Sequence, residues 1–224
     1  NLVSGRIISR QPIETFQFTR AEPVPIPVRC AVHPHEKAYW LILDHPYSAI
    51  TDSKGGFKIE KLPAGKHEFR TWHERTGWIH KSLTVNVEPG KTTELGKMPI
   101  APERFEKPSG NTSRQPRPDA PPLPVGKCGT LTGRFVVEGE LPVRRIAPPF
   151  AGRPAMIRQP IVDPATRALR QVAVYLRDSN SLPREFRALP LPKRPVKATI
   201  KNEQVVPQAV SYTHLTLPTR CLVW

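Results

Sequence analysis

The chain has 224 residues, a length that is enough for one large domain or two small ones. Its hydrophobic share is 38% and its formal charge is +15. Its 28 prolines exclude long helices, because proline is poorly tolerated inside helices and central strands. The basic residues are scattered among prolines and predicted strands instead of gathering on one face, which argues against a nucleic-acid partner. The sequence has no run of about eighteen apolar residues, so we expect no membrane span.

Residues 14–100 predict one strand after another. "ETFQFT" alternates aromatic and polar residues, "AYWLIL" is a short apolar run, and "DHPY" ends that run with a proline bend. "VPIPVRCAV" is an extended segment whose prolines place its beginning at a sheet edge or in an unpaired lead-in. One face of this segment carries Val24, Ile26, Val28, Cys30 and Val32.

The stretch "SAITDSKGGFKIEKLPAGKHEFRTWHE" predicts three strands joined by two turns. Asp52 caps the first turn, Gly55 and Gly56 supply positive φ, and "LPAG" forms the second turn. "SLTVNVEPG" then alternates apolar and polar residues before a last strand that ends near Ile100. Six or more short strands at this spacing indicate an all-β fold, a β-sandwich.

The composition changes at residue 101. Residues 101–127 are rich in proline and lack apolar periodicity, which predicts a linker. Residues 128–209 contain strand patterns in "GTLTGRFVVEGELP", "LRQVAVYLRD" and "VKATIKNEQVVP". We interpret them as a truncated second β unit, whose strands are marginal without further partners and are therefore expected to be cut rapidly by protease.

The two ends of the chain need separate interpretation. "VSYTHLTLPT", which begins at Val210, resembles the translation of a sequencing-library adapter, so residues 210–224 are treated as an artefactual tail. Without Cys221, the remaining Cys30 and Cys128 lie in different segments and predict no disulfide framework. The absent initiating methionine and the lack of a leader-like start predict truncation at both ends.

An ordered set of motifs resembles one protein family. Cys30, His33, Pro34 and Tyr39 are followed by "PYSAITDSKGGF", "LPAG" and "WHE". This order and spacing are similar to bacterial envelope proteins in which a cupredoxin-like segment leads into a carboxypeptidase-regulatory-like, or transthyretin-like, β-sandwich. Residues 129–209 resemble the opening strands of a second copy.

The resemblance implies a domain division and a function. The expected units are residues 1–37 as the end of a cupredoxin-like segment, 38–100 as the transthyretin-like sandwich, 101–127 as linker and 128–209 as the incomplete copy. The implied protein is periplasmic or extracellular and is not an enzyme. It is a structural or interaction module with a protein or glycan partner, neither of which the sequence identifies.

The alternative function is electron transfer at copper. A blue-copper site uses a thiolate, two imidazoles and a weak thioether, and Cys30, His33 and His35 are the candidate metal ligands here. The family's Trp-Met is replaced by His35 and Glu36, so the thioether is missing; His45 is a further substitute ligand. The broken ligand set favours packing of Cys30 as a small hydrophobe, with no cofactor.

Other polar and aromatic groups have structural and functional interpretations. "WHE" at Trp72, His73 and Glu74 is a polar cluster or a strand end, with the strand end favoured. The segment that begins at Asp52 lacks the repeated carboxylates of a calcium loop. This favours its interpretation as a turn. A carbohydrate-binding accessory domain is the second alternative function, with a stacking surface on Tyr39, Trp40, Trp72 and Trp78, although such aromatics are more often core.

Overall fold

The fold comes from a computed structural model of the chain. The structure describes residues 6–7, 13–16, 21–30, 37–105, 128–140, 162–177, 179, 182, 196–201, 204–206 and 209–212. Side chains are described mainly in 38–105, 128–140 and 162–177. All statements on structure concern these residues.

The described chain is all-β. Its strands in the first half are β1 (Arg6–Ile7), β2 (Ile13–Phe16), β3 (Glu22–Cys30), β4 (Lys37–Ile42), β5 (Ser48–Ile50), β6 (Gly56–Pro63), β7 (Gly65–His73), β8 (Gly77–Val87) and β9 (Thr92–Ile100). Those in the second half are β10 (Cys128–Val137), β11 (Ala173–Leu176), β12 (Val196–Lys201), β13 (Gln204–Val206) and β14 (Ala209–Tyr212). A 3-10 turn follows β9 at Pro102–Phe105.

The strands form four sheets. The central sheet has the order β5-β11-β7-β8, and the first outer sheet has the order β6-β10-β9. The second outer sheet is β1-β3-β4-β14, and a small sheet is β13-β12-β2. The turns after β5, β6 and β8 each carry the chain from the central sheet to the first outer sheet or back. These two sheets therefore alternate along the sequence.

The main core lies between the central sheet and the first outer sheet. The central sheet contributes Phe69, Val85 and Leu176, and the outer sheet contributes Ile59 and Phe135, among other buried residues. Because burial of apolar surface contributes roughly 25 cal/mol for each Å², this shared core stabilises the packing of the two sheets on each other.

A second core covers the other face of the central sheet. It contains Trp72, Trp78 and Tyr175 from the central sheet and Leu41 from β4 of the second outer sheet. Consecutive residues of β11 therefore point into different cores, because side chains of a strand alternate between its two faces. All four residues of β11 are buried.

Local features of the sequence prediction are confirmed. Val85 and Val87 are buried while Thr84 and Asn86 are exposed, as the alternation in β8 requires. Gly55 has a φ of 73°, and the Asp52 carboxylate accepts hydrogen bonds from two backbone N–H groups of the turn. The prediction of positive φ at Gly56 is wrong, since Gly56 already belongs to β6.

Described strands of the two predicted units pair in the same sheets. β10 and β11 come from residues 128–209, yet they pair inside the sheets that residues 48–100 form. The same main core contains Phe57 of the first stretch and Phe135 of the second. The boundary between residues 100 and 128 therefore does not separate two cores in the structure. The sequence could not show this, because alternation identifies the buried face of a strand and not its neighbours.

The C-terminal strands belong to the other two sheets. β12 pairs with β13 and with β2, and β14 pairs in parallel with β4. Most of β14 belongs to the tail that the sequence analysis treats as artefactual. The pairing of a strand says nothing about the origin of its sequence. The interpretation of residues 210–224 as an artefactual tail therefore stays a prediction.

In the part of the chain that the structure describes, no helix is long and apolar enough to cross a membrane.

Candidate functional site: two central strand slots

Two positions in the middle of the sheets are filled by strands from beyond residue 127. The first slot lies between β6 and β9. β10 is antiparallel to β6, with Gly133 opposite Phe57, and parallel to β9, with Phe135 opposite Met98. Within the described sheets β6 and β9 share no ladder with each other. The first outer sheet therefore exists only through β10.

The second slot lies between β5 and β7. β11 is antiparallel to both strands, with Val174 opposite Ala49 on one side and Thr71 on the other. If β11 were absent, the pairing described for the central sheet would be reduced to the β7-β8 hairpin. A two-stranded hairpin is marginal in water, so β11 is needed for the sheet and is not an accessory to it.

The "DHPY" motif binds the end of β11. The His45 Nδ1 accepts the Tyr47 N–H at 3.3 Å, which leaves Nε2 to donate to the Leu176 carbonyl at 3.0 Å. The Leu176 N–H donates to the Tyr47 carbonyl at 3.0 Å. Beyond the strand, the Ser179 hydroxyl donates to the Asp44 carboxylate at 2.9 Å. Sequence reasoning identified a proline bend and a substitute metal ligand, His45, at this motif, but none of these hydrogen bonds.

Thr51 binds the segment that leads into β11. Its hydroxyl donates to the Leu169 carbonyl at 3.0 Å and accepts the Val172 N–H at 2.9 Å. Its backbone N–H donates to the Val172 carbonyl, and its carbonyl accepts the Gln171 N–H. Thr51 is 4% exposed, so these groups have no access to water when the segment is in place.

The Asp52 turn contacts β10. The Gly55 carbonyl accepts the Phe135 N–H at 2.9 Å, and the Phe135 carbonyl accepts the Leu169 N–H at 3.0 Å. A Cβ placed on Gly55 would lie 2.5 Å from the Phe135 carbonyl oxygen, closer than real side chains approach. Gly55 is therefore required both by its positive φ and by this approach of two backbones. The turn interpretation is supported over a calcium loop.

An ion pair links β7 to the end of β11. The Arg177 guanidinium contacts the Glu68 carboxylate, and the Arg177 N–H donates to the Glu68 carbonyl at 2.8 Å. The side chains are 17% and 6% exposed, so the pair is largely buried. Removal of one partner leaves an uncompensated buried charge, which costs about 3–5 kcal/mol.

The predicted metal ligands fall mostly outside the described residues. Cys30 ends β3, but its side chain is not described, and His33 and His35 lie in the undescribed residues 31–36. The substitute His45 has both ring nitrogens in the hydrogen bonds given above. Among the described side chains no group of three or more His, Cys, Asp or Glu is arranged to hold a metal ion. Copper ligation by Cys30, His33 and His35 stays a prediction.

Cys128 differs from its prediction. It is disulfide-bonded in the structure, whereas the separation of the cysteines along the chain predicted no disulfide. The side chains of the other two cysteines, Cys30 and Cys221, lie outside the described set. Spacing along the chain was a poor guide because strand pairing, and not sequence distance, decides which segments meet.

The "WHE" motif is part of the interior. Trp72 is 6% exposed and His73 is fully buried next to the Phe105 ring. The His73 Nδ1 accepts the Arg75 N–H at 3.2 Å, and its buried Nε2 has no hydrogen-bond partner among the described residues. Burial, assisted by the Arg75 charge, lowers the pKa of His73 to about 3, so the ring is neutral at physiological pH.

The aromatic residues that suggested a stacking surface are core residues. Trp40 and Trp78 are 0% and 4% exposed, and Trp72 packs against Tyr39 at 4.7 Å between ring centroids. The Arg70 guanidinium covers the Trp78 ring at 5.4 Å. A glycan that stacks on Trp72 and Trp78 would have to open the second core.

The chain has been compared with known proteins in three ways. No protein-family model matches it, and no curated protein or solved structure is similar enough to count as a match. Over the residues that it describes, the structure defines the class: an all-β protein with several sheets and essentially no helix. The resemblance to the transthyretin-like and cupredoxin-like family therefore remains a proposal.

Proposed function

We propose that the chain is a non-catalytic β-sandwich module with a structural or interaction role. The observation that supports this function is the use of the polar motif residues. His45, Thr51 and Asp52 direct their side chains to backbone groups that join the sandwich together. Groups saturated in this way are poor candidates for proton transfer or for metal ligation.

The finer identity of the module rests on the resemblance. The motifs "PYSAITDSKGGF", "LPAG" and "WHE" support a transthyretin-like sandwich, and each falls in a turn or strand of the central and first outer sheets. A periplasmic or extracellular location follows from the same resemblance. The disulfide at Cys128 supports that location, because disulfides persist mainly in oxidising compartments.

A metal-dependent melting experiment tests the non-catalytic assignment. The melting temperature is measured for the wild type and for His45→Gln, each with and without 1 mM Cu²⁺, Zn²⁺ or Ca²⁺. Because a ligand that binds only the folded state raises its stability, a site at these residues would shift the wild type upward and leave the variant unchanged. We expect no ion to raise either melting temperature, while His45→Gln melts lower in all conditions. An ion-dependent rise that requires His45 would contradict the proposal.

A further inference from the structure

The 3-10 turn Pro102–Phe105, here called the strap, closes one end of the main core. It follows β9 and takes part in none of the described ladders. The hydrogen bond from the Arg104 N–H to the Ala101 carbonyl, at 3.2 Å, lies within the turn itself. Glu103 and Arg104 are exposed, whereas the Phe105 side chain is 4% exposed and belongs to the main core. The strap therefore adds one core side chain from outside the described sheets.

Side-chain contacts hold the strap against the hairpin of β7 and β8. The Phe105 ring meets the His73 ring at 6.2 Å between centroids and an angle of 64°. The Arg75 guanidinium lies over the Phe105 ring at 5.7 Å, and the Arg104 guanidinium donates to the Trp78 carbonyl at 2.7 Å. Segments with few backbone hydrogen bonds to their neighbours open at low free energy. We therefore expect the strap to open more easily than the strands that it covers.

The ring beneath the strap is a histidine with an unsatisfied nitrogen. His73 is the last residue of β7 and is 0% exposed. Its Nδ1 accepts the Arg75 N–H at 3.2 Å, so the proton of the neutral ring lies on Nε2, which is buried without a partner among the described residues. An imidazolium donates from both nitrogens, and a buried charge without acceptors is costly. Protonation of His73 therefore requires a rearrangement, and the strap is the neighbour that sheet pairing does not hold.

We propose that the strap is an acid-released cover, which is closed over His73 at neutral pH and opens as a unit when that ring takes up a proton. The open form exposes His73 and the apolar Phe105 ring at one end of the main core while the sheets stay paired. Exposure of this apolar end is then controlled by pH. The inference goes beyond the structural or interaction role proposed above and does not depend on it.

The charges around His73 favour opening in acid. Burial, assisted by the Arg75 charge, lowers the pKa of the covered ring to about 3 from the ordinary value of 6.5. Burial and the Arg104 charge lower the pKa of His80 as well, so this neighbour acts in the same direction. Between pH 6.5 and about 3 the open form binds the proton better, so its population relative to the closed form rises about 10-fold for each pH unit of acidification. The charged and titratable groups on the elements that meet at this end are Glu74, Arg75, His80, Glu103, Arg104 and Glu138.

A pH titration of the full chain by solution NMR tests the proposal. The Phe105 ring and the Arg75 amide report on the strap, and the Val174 and Leu176 amides of β11 report on the sheets. We expect the two strap signals to change together at a higher pH than that at which the β11 signals are lost, and His73→Asn to abolish this early change. Loss of strap and sheet signals in a single step overturns the proposal, and so does an early change that persists in His73→Asn.

Two matched variants separate a cover from general loosening of the core. Phe105→Ala removes the ring over His73, and Phe57→Ala removes a ring of the same size elsewhere in the same core. In Phe105→Ala the pKa of His73, read from its ring protons, should rise toward 6.5, which is an increase in proton affinity of about 100-fold or more. In Phe57→Ala it should stay near the wild-type value. The same His73 pKa in both variants overturns the proposal, and if Phe105→Ala does not fold, the titration of the wild type decides.

Discussion

Residues 37–105 and 128–177 contribute to the same sheets, but they occupy different places in them. The first region supplies β4 to β9, of which β5, β6, β7 and β9 border the two slots, and the second supplies β10 and β11, which fill them. Buried and exposed residues alternate along β6, whereas all four residues of β11 are buried. A region can therefore contain most of a fold's strands and still lack the ones that hold them together.

The largest expected effect comes from the core side chain of β10. Phe135 is fully buried with its ring 5.9 Å from that of Phe57, so Phe135→Ala should lower the free energy of unfolding by about 3–5 kcal/mol. Urea unfolding followed by tryptophan fluorescence measures this loss, since Trp72 and Trp78 lie in the other region. Glu138→Ala, at an exposed position just after the same strand, should change stability little. A similar loss in both variants would contradict a shared core.

Gly55 tests the contact between the Asp52 turn and β10. A strained backbone alone costs about 1–3 kcal/mol. Gly55→Ala is expected to lower the free energy of unfolding by more than this, because the new Cβ would also meet the Phe135 carbonyl oxygen. Gly90→Ala is a matched control, since Gly90 also has a positive φ, of 70°, but no atom lies within 4 Å of the position that its new Cβ would take. The difference between the two variants in thermal unfolding isolates the contact. Equal losses would mean that β10 does not approach the turn.

Thr51 tests the binding of the segment before β11. Thr51→Val keeps the shape of the side chain but leaves the Leu169 carbonyl and the Val172 N–H without their hydroxyl partner, at a cost of about 1–3 kcal/mol. Thr51→Ser retains the hydroxyl and should lose clearly less in the same denaturant titration. If valine is tolerated as well as serine, these hydrogen bonds do not hold the segment.

The buried histidines predict weaker stability in acid. Burial lowers the pKa of His73 to about 3, whereas the unfolded chain titrates near 6.5. Between these values the unfolded state binds more protons, so stability falls as pH decreases, by up to about 1.4 kcal/mol for each pH unit for this residue. The pKa values of His67 and His80 are also lowered by burial, so they act in the same direction.

His73→Asn should make the pH dependence shallower, whatever its own effect on stability. Chemical denaturation at pH 7, 6, 5 and 4.5 gives the slope for each protein. Parallel curves for the wild type and the variant would show that His73 is not buried as a neutral ring.

The smallest expected effect concerns copper. Because the thioether of a blue-copper site has no counterpart beside Cys30, addition of Cu²⁺ should produce no intense visible absorption. Visible spectroscopy of the wild type and of Cys30→Ser makes the comparison. A strong band that disappears in Cys30→Ser would make electron transfer, the alternative function, the leading one.

The sequence predicted local structure well and long-range pairing poorly. Alternation identified the buried faces of β6 and β8, and the Asp52 turn was visible from its residue types. The roles of His45 and Thr51 were missed, because their partners are backbone groups more than a hundred residues away. Backbone groups carry no sequence signature, so the only available signal was the placement of polar residues in otherwise apolar segments.

Hydrogen exchange tests the shared core most directly. The exchange rates of the Val174 and Leu176 amides in β11 are compared with those of the Phe69 and Thr71 amides in β7. The rates are measured at increasing denaturant concentrations that all leave the protein folded. If β11 is an integral strand, both sets exchange only through global unfolding and give the same free energy of opening. If the amides of β11 open at much lower free energy while those of β7 stay protected, residues 128–177 do not complete the sheets and the account is contradicted.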